Sequence, residues 1–268
     1  MASLLLIPVL GYLCLLAFLY FAQASLIFPV ARIAPAGPLP AIAEPLELAA
    51  ASGERLRGIH IPSGRPGQAG TLILGFGGNA TDAGATAALL HDLFPEADVA
   101  AFHYRGYPPS EGKPGAAALQ ADALLIHDFL RRRLHPARIV VAGFSVGGGV
   151  AAALAARRPI DGLILVTPFD SLAAVASSHY PWVPVRLLLR HNMELAADLR
   201  AIRVPVAIIA GGRDTLVPPA RTEALRRALP HLAFDRTIPN AGHNDIYADP
   251  AFPRAMREAL AAMAAGAR

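Results

Sequence analysis

The pentapeptide Gly143-Phe144-Ser145-Val146-Gly147 constrains this chain more than any other stretch. Ahead of it runs Arg138-Ile139-Val140-Val141-Ala142, β-branched and of strand length. Behind it runs Gly148-Gly149-Val150-Ala151-Ala152-Ala153-Leu154, whose alanines favour helix. A strand that turns directly into a helix through G-x-S-x-G holds its serine in a strained backbone conformation, with the hydroxyl raised above a sheet. Glycines flank the serine because side chains there would collide across the turn. The helix then aims its first N–H groups at whatever reacts with the serine, a setting that favours a developing oxyanion. With 23 glycines in the chain the pattern alone carries little weight, and a serine that merely caps a helix would also fit it. Its partners elsewhere in the sequence decide between the two readings.

The remaining apolar runs supply the sheet. Strand-like segments fall at residues 46–48, 56–61, 71–74, 99–103, 139–143, 163–166, 206–210 and 233–238. Helical patterns cover 86–93, 116–133, 148–157, 219–229 and 250–265. The first two strands alternate apolar and polar residues across a short turn, as an antiparallel hairpin does. From the third onward, strands alternate with helices, which predicts an α/β architecture: a mostly parallel sheet covered by helices on both faces. Residues 168–200 interrupt that rhythm. Their Tyr180-Pro181-Trp182-Val183-Pro184 and the helical 185–190 read as a small, apolar lid insertion. Arg186 and Arg190, four apart, are expected on one face of that short helix, where they would suit anionic headgroups.

The first thirty residues have a different character. No charged residue occurs between Ala2 and Ala31, and 3–21 is almost solidly apolar, enough for a helix to cross a hydrocarbon core of ~30 Å. Ala22-Gln23-Ala24 resembles a signal-peptide cleavage site. Against cleavage, no basic residues precede the run, it exceeds the usual h-region, and Leu26-Ile27-Phe28 continues it. The expectation is therefore an uncleaved, single-pass transmembrane helix at 1–28, with Tyr12, Tyr20 and Phe21 suited to the interfaces. Arg32 is the one basic residue nearby, so the membrane side stays open. Residues 29–45 hold five prolines and read as a stiff linker to a domain at 46–268. On this reading the first forty residues are a tether, and removing them would spare the hydrolysis of soluble esters. A composition 54% hydrophobic and 16% charged agrees with membrane contact.

Several function classes drop out. The net charge of +4 comes from scattered arginines with no aromatic-interleaved basic stripe, which argues against nucleic acid. Lone Cys14 allows no internal disulfide. The nine histidines show no H-x-x-x-H spacing, so no metal site is expected. Gly75-Phe76-Gly77-Gly78-Asn79-Ala80 loosely matches a dinucleotide fingerprint, but the acid that should close the next strand, Asp98, opens it instead. No cofactor is expected.

A serine hydroxyl attacks only when a base takes its proton, and a carboxylate must orient that base. Val206-Ala207-Ile208-Ile209-Ala210 ends in Gly211-Gly212-Arg213-Asp214, and the last strand ends in Pro239-Asn240-Ala241-Gly242-His243. Both sit at carboxyl ends of strands, where open α/β sheets gather their catalytic groups. The order nucleophile, acid, histidine gives Ser145, Asp214 and His243. Asp170, after the preceding strand, is the competing acid.

Together these motifs resemble the α/β-hydrolases, and among them the membrane-anchored hydrolases related to the bud-emergence suppressor and to serine aminopeptidases. The resemblance rests on Gly77-Gly78-Asn79-Ala80-Thr81-Asp82 against H-G-N-A-G-N, and on Tyr104-Arg105-Gly106-Tyr107 through Gly112 against Y-R-G-Y-G-x-S-x-G. The serine elbow, the Gly211-to-Pro218 segment and the Gly242-His243 turn extend it over nearly the whole chain. It implies Ser145 as nucleophile, His243 as base, Asp214 as its orienter, and the backbone N–H groups of Asn79 and Val146 as oxyanion hole. Gly77 in place of the family's histidine and Pro108 in place of its glycine are departures near the substrate pocket. The implied chemistry is cleavage of carboxylic esters or thioesters through an acyl-enzyme, on a small or lipid-borne acyl substrate, with no obligate protein partner. An aminopeptidase or amidase on the same triad, and a non-catalytic binding protein of the same fold, are the alternatives.

Overall fold

The computed structural model describes residues 2–50, 52–64 and 70–265. Eight strands pair into one sheet: β1 (Glu44–Ala49), β2 (Arg55–Ile61), β3 (Thr71–Phe76), β4 (Asp98–Phe102), β5 (Arg138–Phe144), β6 (Gly162–Val166), β7 (Val206–Gly211) and β8 (Leu232–Ile238). Their order is β1-β2-β4-β3-β5-β6-β7-β8. β2 pairs antiparallel with β1 and β4, and every pairing from β4 to β8 is parallel. The helices are α1 (Ala2–Ile27), α2 (Ala83–Leu93), α3 (Ala116–Leu134), α4 (Val146–Ala155), α5 (Leu172–His179), α6 (Val185–Leu188), α7 (Leu195–Leu199), α8 (Pro219–Ala228) and α9 (Ala251–Ala265).

Side-chain alternation along the strands divides the core in two. Leu72, Leu74, Val141, Leu165 and Ile208 face α3, α4 and α7, whereas Ile73, Val140, Ile164 and Ile209 face α2 and α9. Burial on both faces is what makes the central strands read as unbroken apolar runs. α2 starts at Ala83, three residues ahead of expectation, because the Asp82 carboxylate accepts from the Gly84 N–H at 2.6 Å and caps the helix. α4 likewise starts at Val146, directly after Ser145. Its glycines serve close packing: a Cβ on Gly149 would stand 2.4 Å from the Met193 sulfur.

The N-terminal segment departs from the tether picture. α1 is long and apolar enough to cross a membrane, but its last turns join the domain. Phe28, 1% exposed, belongs to the core and packs edge-on against His191, with ring centroids 5.7 Å apart, and Gln23 is also buried. The proline-rich segment is a strap on the domain surface over 29–43, and it ends two residues earlier than expected because Glu44 and Pro45 already pair with β2 as the start of β1. Val30 and Ile33 pack on one core layer, and Leu39 and Ala43 on the other. Proline hides such a strap from periodicity, since an extended segment gains its apolar contacts without a repeat.

The lid insertion forms α5, α6 and α7. α6 is one turn only, because Leu189 is extended (φ −74°, ψ 113°). Arg186 and Arg190 therefore do not share a helix face. Arg190 instead places its guanidinium over the Tyr20 ring, 5.3 Å from the centroid, and donates its backbone N–H to Gln23 Oε1 at 2.6 Å. Gln23 Nε2 donates to the Leu188 and Tyr20 carbonyls at 3.1 and 2.7 Å, and the Tyr12 hydroxyl donates to the Trp182 carbonyl at 2.7 Å. These bonds fix α1 against the lid.

Candidate active site

Ser145 occupies the turn between β5 and α4 with φ 52° and ψ −118°. A positive φ at a non-glycine residue is strained and persists only where the surroundings enforce it. Here they do. A Cβ on Gly147 would lie 2.1 Å from the Phe76 carbonyl oxygen, and one on Gly143 would lie 2.7 Å from the Gly148 Cα. Backbone meets backbone on both sides of the serine, so neither glycine can be replaced without moving the turn.

Two further loops converge on the hydroxyl. The loop after β7 carries Asp214 and the loop after β8 carries His243, and they are stitched together by Gly212 N–H to Ile238 O (2.8 Å) and Arg213 N–H to Ala241 O (2.9 Å). Asp214 and His243 are both buried. His243 Nδ1 donates to Asp214 Oδ2 at 2.7 Å, and Nε2 faces Ser145 Oγ at 2.9 Å. The other Asp214 oxygen accepts the N–H groups of Leu216 and Val217 at 2.9 and 2.7 Å. Three donors therefore stabilise the ionised carboxylate. With the Nδ1 proton committed to Asp214, Nε2 keeps its lone pair toward the serine proton. Asp170, the competing acid, pairs with Arg221 at 3.2 Å and has no bond to His243.

The loop after β3 runs beside the serine: a Cβ on Gly78 would stand 4.0 Å from the Ser145 Cβ. Asn79 and Val146 line the same cavity as Ser145. Val146 opens α4, where backbone N–H groups lack intrahelical acceptors. Two tyrosines of the segment Tyr104 to Gly112 hold this loop. The Tyr104 hydroxyl donates to the Gly77 carbonyl at 2.7 Å, and the Tyr107 hydroxyl donates to the Asn79 carbonyl. Burial pushes the ionisation of both phenols upward, so each stays a donor. No local pattern announces this, because the partners lie 27 and 28 residues apart. Gly77 also has a local reason: a Cβ there would be 2.7 Å from the Thr86 hydroxyl and 3.0 Å from the Thr81 Cβ. The threonines fill the space that a histidine would need.

Ser145 lies between two cavities. One, of about 670 Å³, extends beneath the lid to α1 and is lined almost wholly by apolar side chains. The other, of about 340 Å³, opens on the side of His243, Asn244, Tyr247 and Thr81.

Comparison with known proteins agrees with this architecture. A family model described as alpha/beta hydrolase fold matches residues 72–194. An uncharacterized protein of Mycobacterium tuberculosis is 35% identical over 232 residues, covering 85% of this chain and 79% of its own. The uncharacterized YfhR of Escherichia coli O157:H7 is 32% identical over 223 residues (80% and 78%). A lysophosphatidylserine lipase, ABHD12 of Danio rerio, is 31% identical over a shorter 138 residues (45% and 36%). Among solved structures, an esterase of Pyrococcus furiosus superposes with TM-score 0.67 at 18% identity, covering 85% of this chain and 96% of its own. This chain belongs to the α/β-hydrolase superfamily.

Proposed function

We propose that the protein is a membrane-anchored serine hydrolase that cleaves carboxylic esters or thioesters through an acyl-enzyme. The observation that carries the proposal is the hydrogen-bonded line Ser145–His243–Asp214, ending at a serine held at positive φ. His243 Nε2 takes the serine proton as Oγ attacks the acyl carbon, and the tetrahedral oxyanion receives the N–H groups of Asn79 and Val146. The imidazolium then returns its proton to the leaving alcohol or thiol. That places the leaving group in the cavity that His243 lines and the acyl group in the apolar cavity. Water, activated by the same histidine, releases the acid and restores Ser145. The long apolar α1 supports the anchor, and the lipase and esterase names among its relatives support an acyl substrate.

Labelling by a fluorophosphonate probe tests the reading. The wild-type protein should label and hydrolyse a nitrophenyl ester, and Ser145→Ala should lose both while keeping its circular dichroism spectrum. A Ser145→Ala variant that retains a tenth of the turnover, on the order of what an accessory group would leave, would remove Ser145 as nucleophile.

A further inference from the structure

We propose that α1, besides anchoring the protein, forms a wall of the acyl cavity, so that the acyl chain of a bilayer lipid ester passes between α1 and the lid to reach Ser145. The proposal rests on the hydrolase reading above and assigns its substrate route and its chain-length determinant.

Leu15, Phe18, Leu19 and Leu26 of α1 line the cavity that ends at Ser145, with Val183 and Leu188 of the lid facing them. Spacings of three, one and seven residues put the four α1 side chains on a single helical face. The opposite face, with Leu10 and Phe21, is apolar and exposed, which suits hydrocarbon. On the cavity side Phe18 and Leu26 also stay more than half exposed, so the cavity is a groove that opens along the helix. One helix therefore has lipid on one side and the reaction cavity on the other. An acyl chain moving around it stays in apolar surroundings from the bilayer to the serine.

The wall is fixed. Gln23, buried within an otherwise apolar stretch, satisfies its amide on the lid backbone at Leu188 and Arg190. Tyr12 bonds the lid again at Trp182, eleven residues earlier. A helix serving only as a tether would need neither bond. Leu15 lies about 6 Å farther along the helix from Phe28 than Leu19 does, so the two positions sample different depths of the cavity.

The test uses the full-length protein in detergent, with nitrophenyl butyrate, laurate and palmitate, and with a long-chain ester in phosphatidylcholine vesicles. Leu19→Trp is expected to lower the laurate-to-butyrate ratio of kcat/KM by at least about tenfold. Leu15→Trp should lower the palmitate-to-butyrate ratio and leave the laurate ratio nearer to wild type. Leu10→Trp, on the lipid-facing side, should change neither. With vesicle-borne ester, Leu19→Trp should again lose more than Leu10→Trp. If Leu19→Trp depresses all chain lengths in proportion, or leaves every ratio within about twofold, α1 is not a wall. Chain-length effects in detergent without any on vesicle-borne ester would overturn the bilayer route. Probe labelling is measured on each preparation. A wild-type protein that neither labels nor hydrolyses butyrate overturns the hydrolase reading itself, whereas labelled variants with unchanged ratios overturn this inference alone.

Discussion

Asp214 and Asp170 are the same chemical group on the ends of neighbouring strands, and only their partners separate them. Asp214 accepts from His243 and two backbone N–H groups, while Asp170 faces Arg221. Asp214→Asn should lower kcat by about 10³–10⁴, because an amide there favours the wrong imidazole tautomer. Asp170→Asn should cost less than about tenfold on the same basis. Steady-state kinetics of the two variants decide, and the reverse ranking would move the orienting acid to the loop after β6. The tyrosines act one step further from the chemistry. Tyr107→Phe removes the hydroxyl that holds the Asn79 carbonyl, leaving the neighbouring N–H in place but less firmly aimed. Losing an oxyanion donor outright costs about 10²–10³, so a kcat loss of about tenfold with little change in KM is expected for Tyr107→Phe. Turnover equal to wild type would mean that the loop is held without it. That Ser145, Asp214 and His243 meet was legible in the sequence because each lies in the loop after a strand and carries its own turn signal. The tyrosines' role was not, since it depends on a hydroxyl meeting a backbone carbonyl on another strand's loop.

At the scale of elements, the turn between β5 and α4 is set by backbone contact. Gly147→Ala would push a methyl group to 2.1 Å from the Phe76 carbonyl oxygen and 2.4 Å from that of Gly77. Neither atom belongs to a side chain that can rotate away. The variant should lose about 2 kcal/mol or more of stability, seen as a lower midpoint in denaturant. It should also lose ester hydrolysis, because the displaced carbonyls belong to the loop that holds Asn79. A fully stable, active Gly147→Ala would mean that this close approach is wrong. The central strands β3 to β7 were legible as apolar runs, since a parallel sheet buries both faces, and β1 and β2 by their alternation. The helix starts were less so. Asp82 caps α2 ahead of any apolar repeat, and the glycines of α4 look like loop until Met193 is packed against them. The short α5 and α7 escaped notice because eight and five residues are too few to show a 3.6-residue period.

For the whole molecule, the question is whether the first forty residues are attached to the domain or built into it. Composition argued for attachment, because an uninterrupted apolar run followed by prolines has the pattern of an anchor and a spacer. The packing argues otherwise. The Phe28 side chain is fully inside the core, and Val30, Ile33, Leu39 and Ala43 cover both of its layers. Phe28→Ala should therefore cost about 3–5 kcal/mol, the range for truncating a buried phenylalanine. For a chain of this size that lowers the melting temperature by about 6–20 °C. Deleting residues 1–40 removes the Phe28, Val30, Ile33 and Leu39 contacts at once and should reduce hydrolysis of soluble and vesicle-borne esters together, instead of sparing the soluble one. Thermal denaturation in detergent, alongside both assays, distinguishes the cases. A Phe28→Ala protein that melts with wild type, and a truncated protein that keeps its soluble-ester activity, would return the segment to the role of a tether. Loss on both substrates would make the end of α1 and the strap as much a part of the hydrolase as the sheet they cover.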